Sequence, residues 1–366
     1  MTLSEAIQHA ARVASSRAAM PILSGVRLTS SKGELRVRAT DLRVYWEGRV
    51  EGAVGQDAEF DMVIPAGVAA KIVARWRDAK LRVVDEAVEI RDASSHARLR
   101  SFADVLDWPE LLVKDDATAA GEPSVEIPRA IGRVLSAASN DETRPSFCGV
   151  FLEADPARLG AVQVTATDGH RLHTISVPWS GELPPAVIVP IEGAEAISRM
   201  VAPALTIGAR LVRARCGDES IWVRTVDADP LPWRQTVPVD SPLVACVNGA
   251  EIAKAVSLAA ILDARVVELL CGPEAVVVRS ESLELGVIES RVAVVGAGAG
   301  FDGGGGMSMS FSPRYVLDAL AAITGEGDGD VEIRSGGGYG EATLWRAPGG
   351  GDEGARALCV IMPLRK

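Results

Sequence analysis

The sequence predicts an α+β protein built from three similar domains. An order of elements (helix, strands, helix, strands) is written three times along 366 residues, a length that already suggests two or three domains. The strands come in runs with alternating apolar residues and do not alternate one by one with helices, which argues against a parallel βαβ plan. Pro65, Pro190 and Pro313 each stand just ahead of the second helix of a copy. They mark the repeat at roughly 120–125 residues, an ordinary length for one domain.

Each copy opens on an amphipathic helix. Over 3–14 the apolar positions Leu3, Ile7, Ala10, Ala11 and Val13 recur near the 3.6-residue period. The helix over 128–138 begins on Pro128, whose missing N–H has no intrahelical partner at a helix start, and turns Ile131, Val134 and Leu135 inward. The third, over 249–262, turns Ile252, Val256, Ala259 and Ala260 inward. A strand follows each, over 25–28, 149–152 and 265–269. Residues 35–41 (LRVRATD) and 162–168 (VQVTATD) then agree in pattern and in letters. Val63-Ile64-Pro65, Val187-Ile188-Val189-Pro190 and Phe311-Ser312-Pro313 each introduce a second helix, the last over 314–323. The polar, Gly- or Pro-bearing stretches 114–123 and 238–242 read as linkers. The expected domains are therefore 1–118, 119–240 and 241–366. Residues 296–306 and 348–354 read as long loops within the third copy.

A net charge of −11, spread evenly, argues against a nucleic-acid partner, because phosphate binding needs Lys and Arg. A molecule acidic outside and basic inside would instead repel a duplex everywhere except along its axis, so the placement of charge decides. With 48% hydrophobic residues there is material for several cores. No apolar run approaches the roughly 18–20 residues of a membrane span, and the N-terminus lacks the apolar core of a signal peptide. The five cysteines lie far apart with no C-x-x-C pair. They suggest reduced thiols in a cytoplasmic protein and no zinc site. No metal or cofactor is expected.

The most specific stretch is 161–175, AVQVTATDGHRLHTI. Val162, Val164 and Ala166 alternate as in a half-buried strand. Asp168-Gly169 supplies the positive φ of a tight turn, and a second strand carries Ile175 and Val177 up to Pro178. The turn sets His170, Arg171 and Leu172 side by side. Asp168 and His170 hint at acid–base chemistry, but no nucleophile accompanies them. His170 and His173 point to opposite faces of a strand and so cannot share a metal.

The heptapeptide ATDGHRL resembles the hairpin of the bacterial DNA polymerase III beta subunit, the sliding clamp family. Met20-Pro21-Ile22-Leu23-Ser24-Gly25 and the tail Val360-Ile361-Met362-Pro363-Leu364-Arg365 resemble two further segments of that family, in the right order across the chain. The resemblance implies three clamp domains, with helices lining the inside and antiparallel sheets outside. It also implies a ring closed as a head-to-tail homodimer around double-stranded DNA, without sequence preference. Such a protein is no enzyme: it is a processivity factor that tethers the DNA polymerase III catalytic subunit and other replication or repair proteins. A separate clamp loader opens it, in keeping with the lack here of G-x-x-x-x-G-K-[ST].

By the same resemblance a partner peptide would enter a pocket made by Phe147, Thr167, Gly169, His170, Arg171, Leu172, Pro232, Val237, Val360 and Met362, with His170 and Arg171 at its rim. Taken one at a time, Val360 and Met362 read first as plain core; the place of Met362 beside Pro363 favours a pocket wall more than a mid-chain position would. On or beside the candidate lining helices stand Arg12, Arg17, Lys71, Arg75, Arg77, Arg129, Arg133, Arg144 and Arg199. Such cations give salt-sensitive, sequence-independent phosphate contacts, although each alone reads as a solvated face. Ile191 and Glu192 stand where the family usually has basic residues. Leu99, Ile261 and Leu262 fall at the family's dimer seam; Ile261 and Leu262 can equally close their own core, and Ala97 is small for the position.

Two rivals follow from these departures and from the glycine tract. Ile191, Glu192 and Ala97 fit a divergent clamp-like paralogue with weak DNA retention, acting as an adaptor, inhibitor or resistance copy. Gly298-x-Gly300-x-x-Gly303 matches a dinucleotide fingerprint in letters and suggests an oxidoreductase. That motif needs a helix opening at its last glycine, and 304–307 reads as more loop.

Overall fold

The computed structural model describes residues 1–15, 20–76, 79–111, 117–262, 265–295, 307–325, 327–337, 340–349 and 357–364. The chain forms two compact units: residues 1–128 with 192–225, and residues 129–191 with 226–366. The second of the three expected segments therefore contributes to both.

Among the described residues the α-helices are α1 (Leu3–Val13), α2 (Ala66–Val73), α3 (Glu126–Val134), α4 (Ile191–Ser198), α5 (Gly249–Ala259) and α6 (Pro313–Thr324). A capping box fixes the start of α1: the Thr2 hydroxyl accepts from the Glu5 N–H, and the Glu5 carboxylate accepts from the Thr2 N–H. Helix α3 begins at Glu126, two residues ahead of Pro128. The proline still lies in the first turn, where no N–H is needed. Beyond Val134 the helix tightens into a 3-10 turn, Leu135–Ala137. Helix α5 ends short of the expected 262, and Ile261 and Leu262 form turns back to Leu258 and Ala259.

Among the described residues every strand pairing is antiparallel, as the runs of strands predict. The first unit holds an eight-stranded sheet. Its order is Phe60–Pro65, Gly25–Ser31, Glu34–Thr40, Val44–Glu51, Glu219–Arg224, Leu211–Cys216, Ala204–Gly208, Ala117–Gly121. The second unit repeats the plan with Val187–Pro190, Gly149–Ala154, Ala161–Thr167, Arg171–Pro178, Ala357–Ile361, Thr343–Arg346, Asp330–Arg334 and Leu243–Asn248. In each sheet four strands of one copy meet the opening strand and three later strands of the next. Trp46 lies opposite Ile221 at the first junction, and His173 opposite Cys359 at the second.

Two half-sheets remain. The first unit carries Lys80–Val84, Ala87–Arg91 and His96–Arg100; the second carries Gly286–Ala293, Ala275–Ser282, Val267–Cys271 and Met307–Phe311. One expectation fails here. Residues 117–121 fall within the stretch read as a linker, yet they pair as an edge strand with Ala204–Gly208. Pairing and the burial of Ala119 override the weak strand preference of alanine.

In the first unit, α1 and α2 lie on one face of the large sheet, over Leu28, Val37, Trp46 and Ile64, all fully or nearly fully buried. Helix α4 approaches so closely that a Cβ on Gly193 would stand 2.2 Å from Val223, so only glycine fits. In the second unit one core joins α5 and α6 to Phe311, Ile333, Trp345 and Ile361. Phe311 and Trp345 meet edge to face at 5.9 Å.

Candidate functional site

The site lies in the second unit, where the hairpin, the chain's last strand and the segment after Thr225 come together. Gly169 adopts φ +90°, as the Asp-Gly pair predicts. The Asp168 carboxylate accepts from the N–H groups of His170 (2.9 Å) and Arg171 (3.0 Å), and the Thr167 hydroxyl donates to the Arg171 carbonyl at 2.7 Å. These bonds fix the tip. The strand Ala357–Ile361 pairs along Arg171–Ile175, and the Met362 N–H donates to the His170 carbonyl at 2.9 Å. The C-terminal tail is thereby stitched to the tip.

A 3-10 turn, Trp233–Thr236, supplies the opposite wall. Trp233 is buried against Phe151, Leu172, Ile188, Leu344 and Val360. Its indole N–H donates to Glu153 at 2.7 Å, and Arg234 covers its ring at 4.5 Å while pairing with the same carboxylate at 3.1 Å. A buried tryptophan with its polar atom satisfied makes a rigid wall.

Between these elements lies a cavity of about 290 Å³. It brings together Phe147, Thr167, Gly169, His170, Arg171, Leu172, Pro232, Val360 and Met362, nine of the ten residues expected there. Val237 lies outside the lining and packs on the apolar cluster behind it. The core reading of Val360 is compatible with this, because it is 5% exposed and yet forms the floor; Met362, 36% exposed, faces the opening. Leu231, Trp233, Gln235, Thr236 and Ala342 also line the cavity and escaped the sequence reading. The signal for Trp233 was a large aromatic after Pro232 in a stretch with no strand or helix period.

Arg171, expected at the rim, is only 3% exposed and turns inward instead. Its guanidinium bonds Asp318, the Ser136 carbonyl and Asp168, and lies 4.3 Å from the Tyr315 ring centre. His173 is fully buried, its two ring nitrogens have no hydrogen-bond partner among the described residues, and burial pulls its pKa down to about 3. His170 is exposed at the tip, so the two histidines do lie apart. Among the described residues no group of three His, Cys, Asp or Glu side chains could hold a metal ion. The glycine motif at 298–303 lies outside the described residues.

Comparison with known proteins bears on this geometry. Models of the N-terminal, central and C-terminal domains of the DNA polymerase III beta subunit match residues 1–111, 123–230 and 234–333. The chain belongs to the DNA polymerase III beta subunit family. It is 27% identical over 341 residues to the beta sliding clamp of Caulobacter vibrioides, covering 88% of this chain and 89% of that protein. It is 25% identical over 348 residues to that of Bacillus subtilis, covering 88% and 89%. The solved beta subunit of Thermotoga maritima shares the fold with a TM-score of 0.85 at 19% identity, covering 100% of this chain and 97% of that one. A sliding clamp from Caulobacter crescentus does so at 0.83 and 24%, with the same coverage.

The cations expected on DNA in this beta subunit family member sort into two groups. Arg12 on α1, Lys71 on α2, Arg75 just beyond it and Arg129 on α3 are exposed and form no salt bridge among the described residues. Others are engaged. Arg133 donates to the Ala322 and Ile323 carbonyls at the end of α6. Arg199 pairs with Glu195 at 3.1 Å. Arg144 pairs with Asp141 at 2.9 Å and lies 4.7 Å from the Phe147 ring, beside the cavity. Arg17 and Arg77 lie outside the described residues. Glu192 pairs with Arg43 at 3.2 Å, so its charge is partly neutralised. Arg12 and Arg199 share a hollow with Glu219. Burial pushes the Glu219 carboxyl up, but hydrogen bonds from His9 and Trp46 outweigh that and hold it below its ordinary range.

At the expected seam, Leu99 is half-buried on the edge strand His96–Arg100. Ile261 is 72% exposed, so it does not close its own core; Leu262 is half-buried.

Proposed function

We propose that this chain is a DNA sliding clamp: a processivity factor that closes as a head-to-tail homodimer around duplex DNA and holds DNA polymerase III there. Its work is tethering, not bond chemistry. A held polymerase that lets go rebinds its end before diffusing away, which is a gain in effective concentration.

The observation that carries the reading is the hairpin cavity. Phe147, Leu172, Trp233, Val360 and Met362 offer apolar walls, while the exposed His170 and Gln235 offer polar atoms at its edge. That lining suits a short peptide with two or three apolar anchors, and methionine at the mouth adapts to more than one partner. Truncating central anchors should cost most: Met362→Ala with Phe147→Ala should weaken such a peptide by about 2–4 kcal/mol. Titration of a labelled polymerase tail peptide checks this, and unchanged affinity would remove the cavity from the proposal.

Two arguments support the ring. The half-sheet of the first unit ends on the open strand His96–Arg100, and that of the second on the open strand Gly286–Ala293. Elsewhere in the chain such halves complete each other. Two copies placed head to tail would join the leftovers as the two large sheets are joined, and would protect both open edges. Arg12, Lys71, Arg75 and Arg129, without a salt bridge among the described residues, offer positive charge to phosphates despite the net −11. The deciding experiment loads the protein on a nicked circular duplex and then linearises it. Retention on the circle with loss from the line is expected; equal loss from both would overturn the proposal.

A further inference from the structure

Among the described residues the large sheet of the first unit has a second face that carries no α-helix, only the 3-10 turn Val105–Asp107 and Trp108 at its Val63 end, and its charge is unlike that of the whole chain. Strand alternation places Arg27, Arg36, Arg38 and Arg49 on it from one half, and Arg213, Arg215 and Arg224 from the other. Against these seven arginines the strands of that face set four carboxylates: Glu34, Glu47, Glu51 and Asp61. The carboxylates are all at one side. There Arg27 pairs with Asp61 at 2.7 Å, Arg36 with Glu34 at 2.7 Å and Arg38 with Glu47 at 2.8 Å. Arg213, Arg215 and Arg224 form no salt bridge among the described residues.

These three arginines share the face with an aromatic ring. Arg213 lies directly across the ladder from Trp222, its guanidinium 5.1 Å from the ring centre. Trp222 is half-buried and in turn lies opposite Tyr45. Among the described residues the buried Nε atoms of Arg213 and Arg224 have no hydrogen-bond acceptor. These two half-buried guanidinium groups beside exposed Arg215 hold partly desolvated positive charge, which favours an anion more than fully water-exposed cations would. On the same face Lys32, Arg36 and Arg38 line a shallow groove of about 410 Å³ with Thr29, Ser31 and Glu34.

An acidic peptide would gain from the arginines but nothing from Trp222. A single nucleic-acid strand uses both, since phosphates take the cations and every base has a face to stack on an aromatic ring. We propose that this face is a second nucleic-acid site, taking a single-stranded polynucleotide with its phosphates on Arg213, Arg215 and Arg224 and a base against Trp222. It is separate from the helix-borne cations offered to a duplex.

The test uses the full chain and labelled oligo(dT) and oligo(rU) of about 12 nucleotides, within the span such platforms cover. A short linear strand slips out of any ring, so the outcome does not depend on the clamp reading. Arg213→Gln with Arg215→Gln should weaken binding about tenfold and lower the slope of log affinity against log salt by about 1.4, two contacts at roughly 0.7 each. Trp222→Ala should weaken it about five- to hundredfold, while Trp222→Phe keeps most of it. Lys71→Gln with Arg129→Gln, on the helices, should weaken it far less than either change on the face. Variants that bind both oligonucleotides like the unaltered protein would overturn the proposal. So would oligoglutamate competing as well as oligo(dT) with no effect of Trp222→Ala, which would make the face a site for acidic peptides.

Discussion

His173 sits in the strand that forms the back of the cavity, facing the helices across from Cys359, with neither ring nitrogen hydrogen-bonded among the described residues. Burial first, and the nearby Arg171 charge second, lower its pKa from 6.5 to about 3. The unfolded chain therefore takes up a proton near pH 6.5 that the folded chain refuses until about pH 3. The stability this histidine contributes is whole above that window and drains as pH falls through it, by up to about 1.4 kcal/mol per pH unit. His173→Leu removes both the titration and two unsatisfied atoms of similar bulk. It should leave the protein as stable or more stable at pH 7.5, and flatten the loss of melting temperature between pH 6.5 and 5. A variant melting profile parallel to the parent's would contradict this account. The sequence placed His173 away from His170 by strand alternation alone. It gave no hint that the ring is buried without partners, because that depends on which strand lies opposite.

Arg171 joins three elements: the hairpin that carries it, the 3-10 end of α3 through the Ser136 carbonyl, and α6 through Asp318 and Tyr315. Removing one partner of a buried pair is costly because the other charge stays behind. Asp318 keeps Arg314 at 3.6 Å, so the loss falls at the lower end. Arg171→Ala should therefore destabilise the second unit by about 3 kcal/mol and loosen peptide binding at the hairpin with it. Arg171→Lys should rescue little, since lysine has neither the fork nor the flat face. Chemical denaturation with peptide titration on the same variants checks both effects, and full rescue by lysine would reduce the tie to simple charge. Arg133 plays a related part by capping the last carbonyls of α6, where a cation also meets the negative end of the helix. Reading helical arginines by charge alone could not separate Arg133 from Arg129, four residues earlier on the same helix, because the distinction lies in what packs alongside. Trp233 and the strand Ala117–Gly121 were missed for the same reason: their local sequence carries no period, and tertiary pairing decides.

At the scale of the molecule, the threefold repeat and its α+β class were legible from spacing and alternation. The pairing of half-sheets from successive copies was not. Alternation fixes which face of a strand is buried, but not which strand becomes its neighbour. The edge strands His96–Arg100 and Gly286–Ala293, each paired on one side only, and the exposed Ile261 set an expectation for assembly. Ile261→Glu or Ile288→Pro should shift the protein from dimer to monomer at micromolar concentration, with a melting temperature for each unit close to the parent's. Sedimentation measures the mass; a dimer of unchanged strength would place the seam elsewhere.

The shared sheets also decide where the chain can be cut. A break at residue 118 or 240 severs strands from the sheets they complete, so neither piece would be a self-sufficient module. Each would carry raw edges whose best cover is the other piece. Two such fragments made together in one cell should find each other and rebuild the fold without a peptide bond between them, whereas either made alone should precipitate.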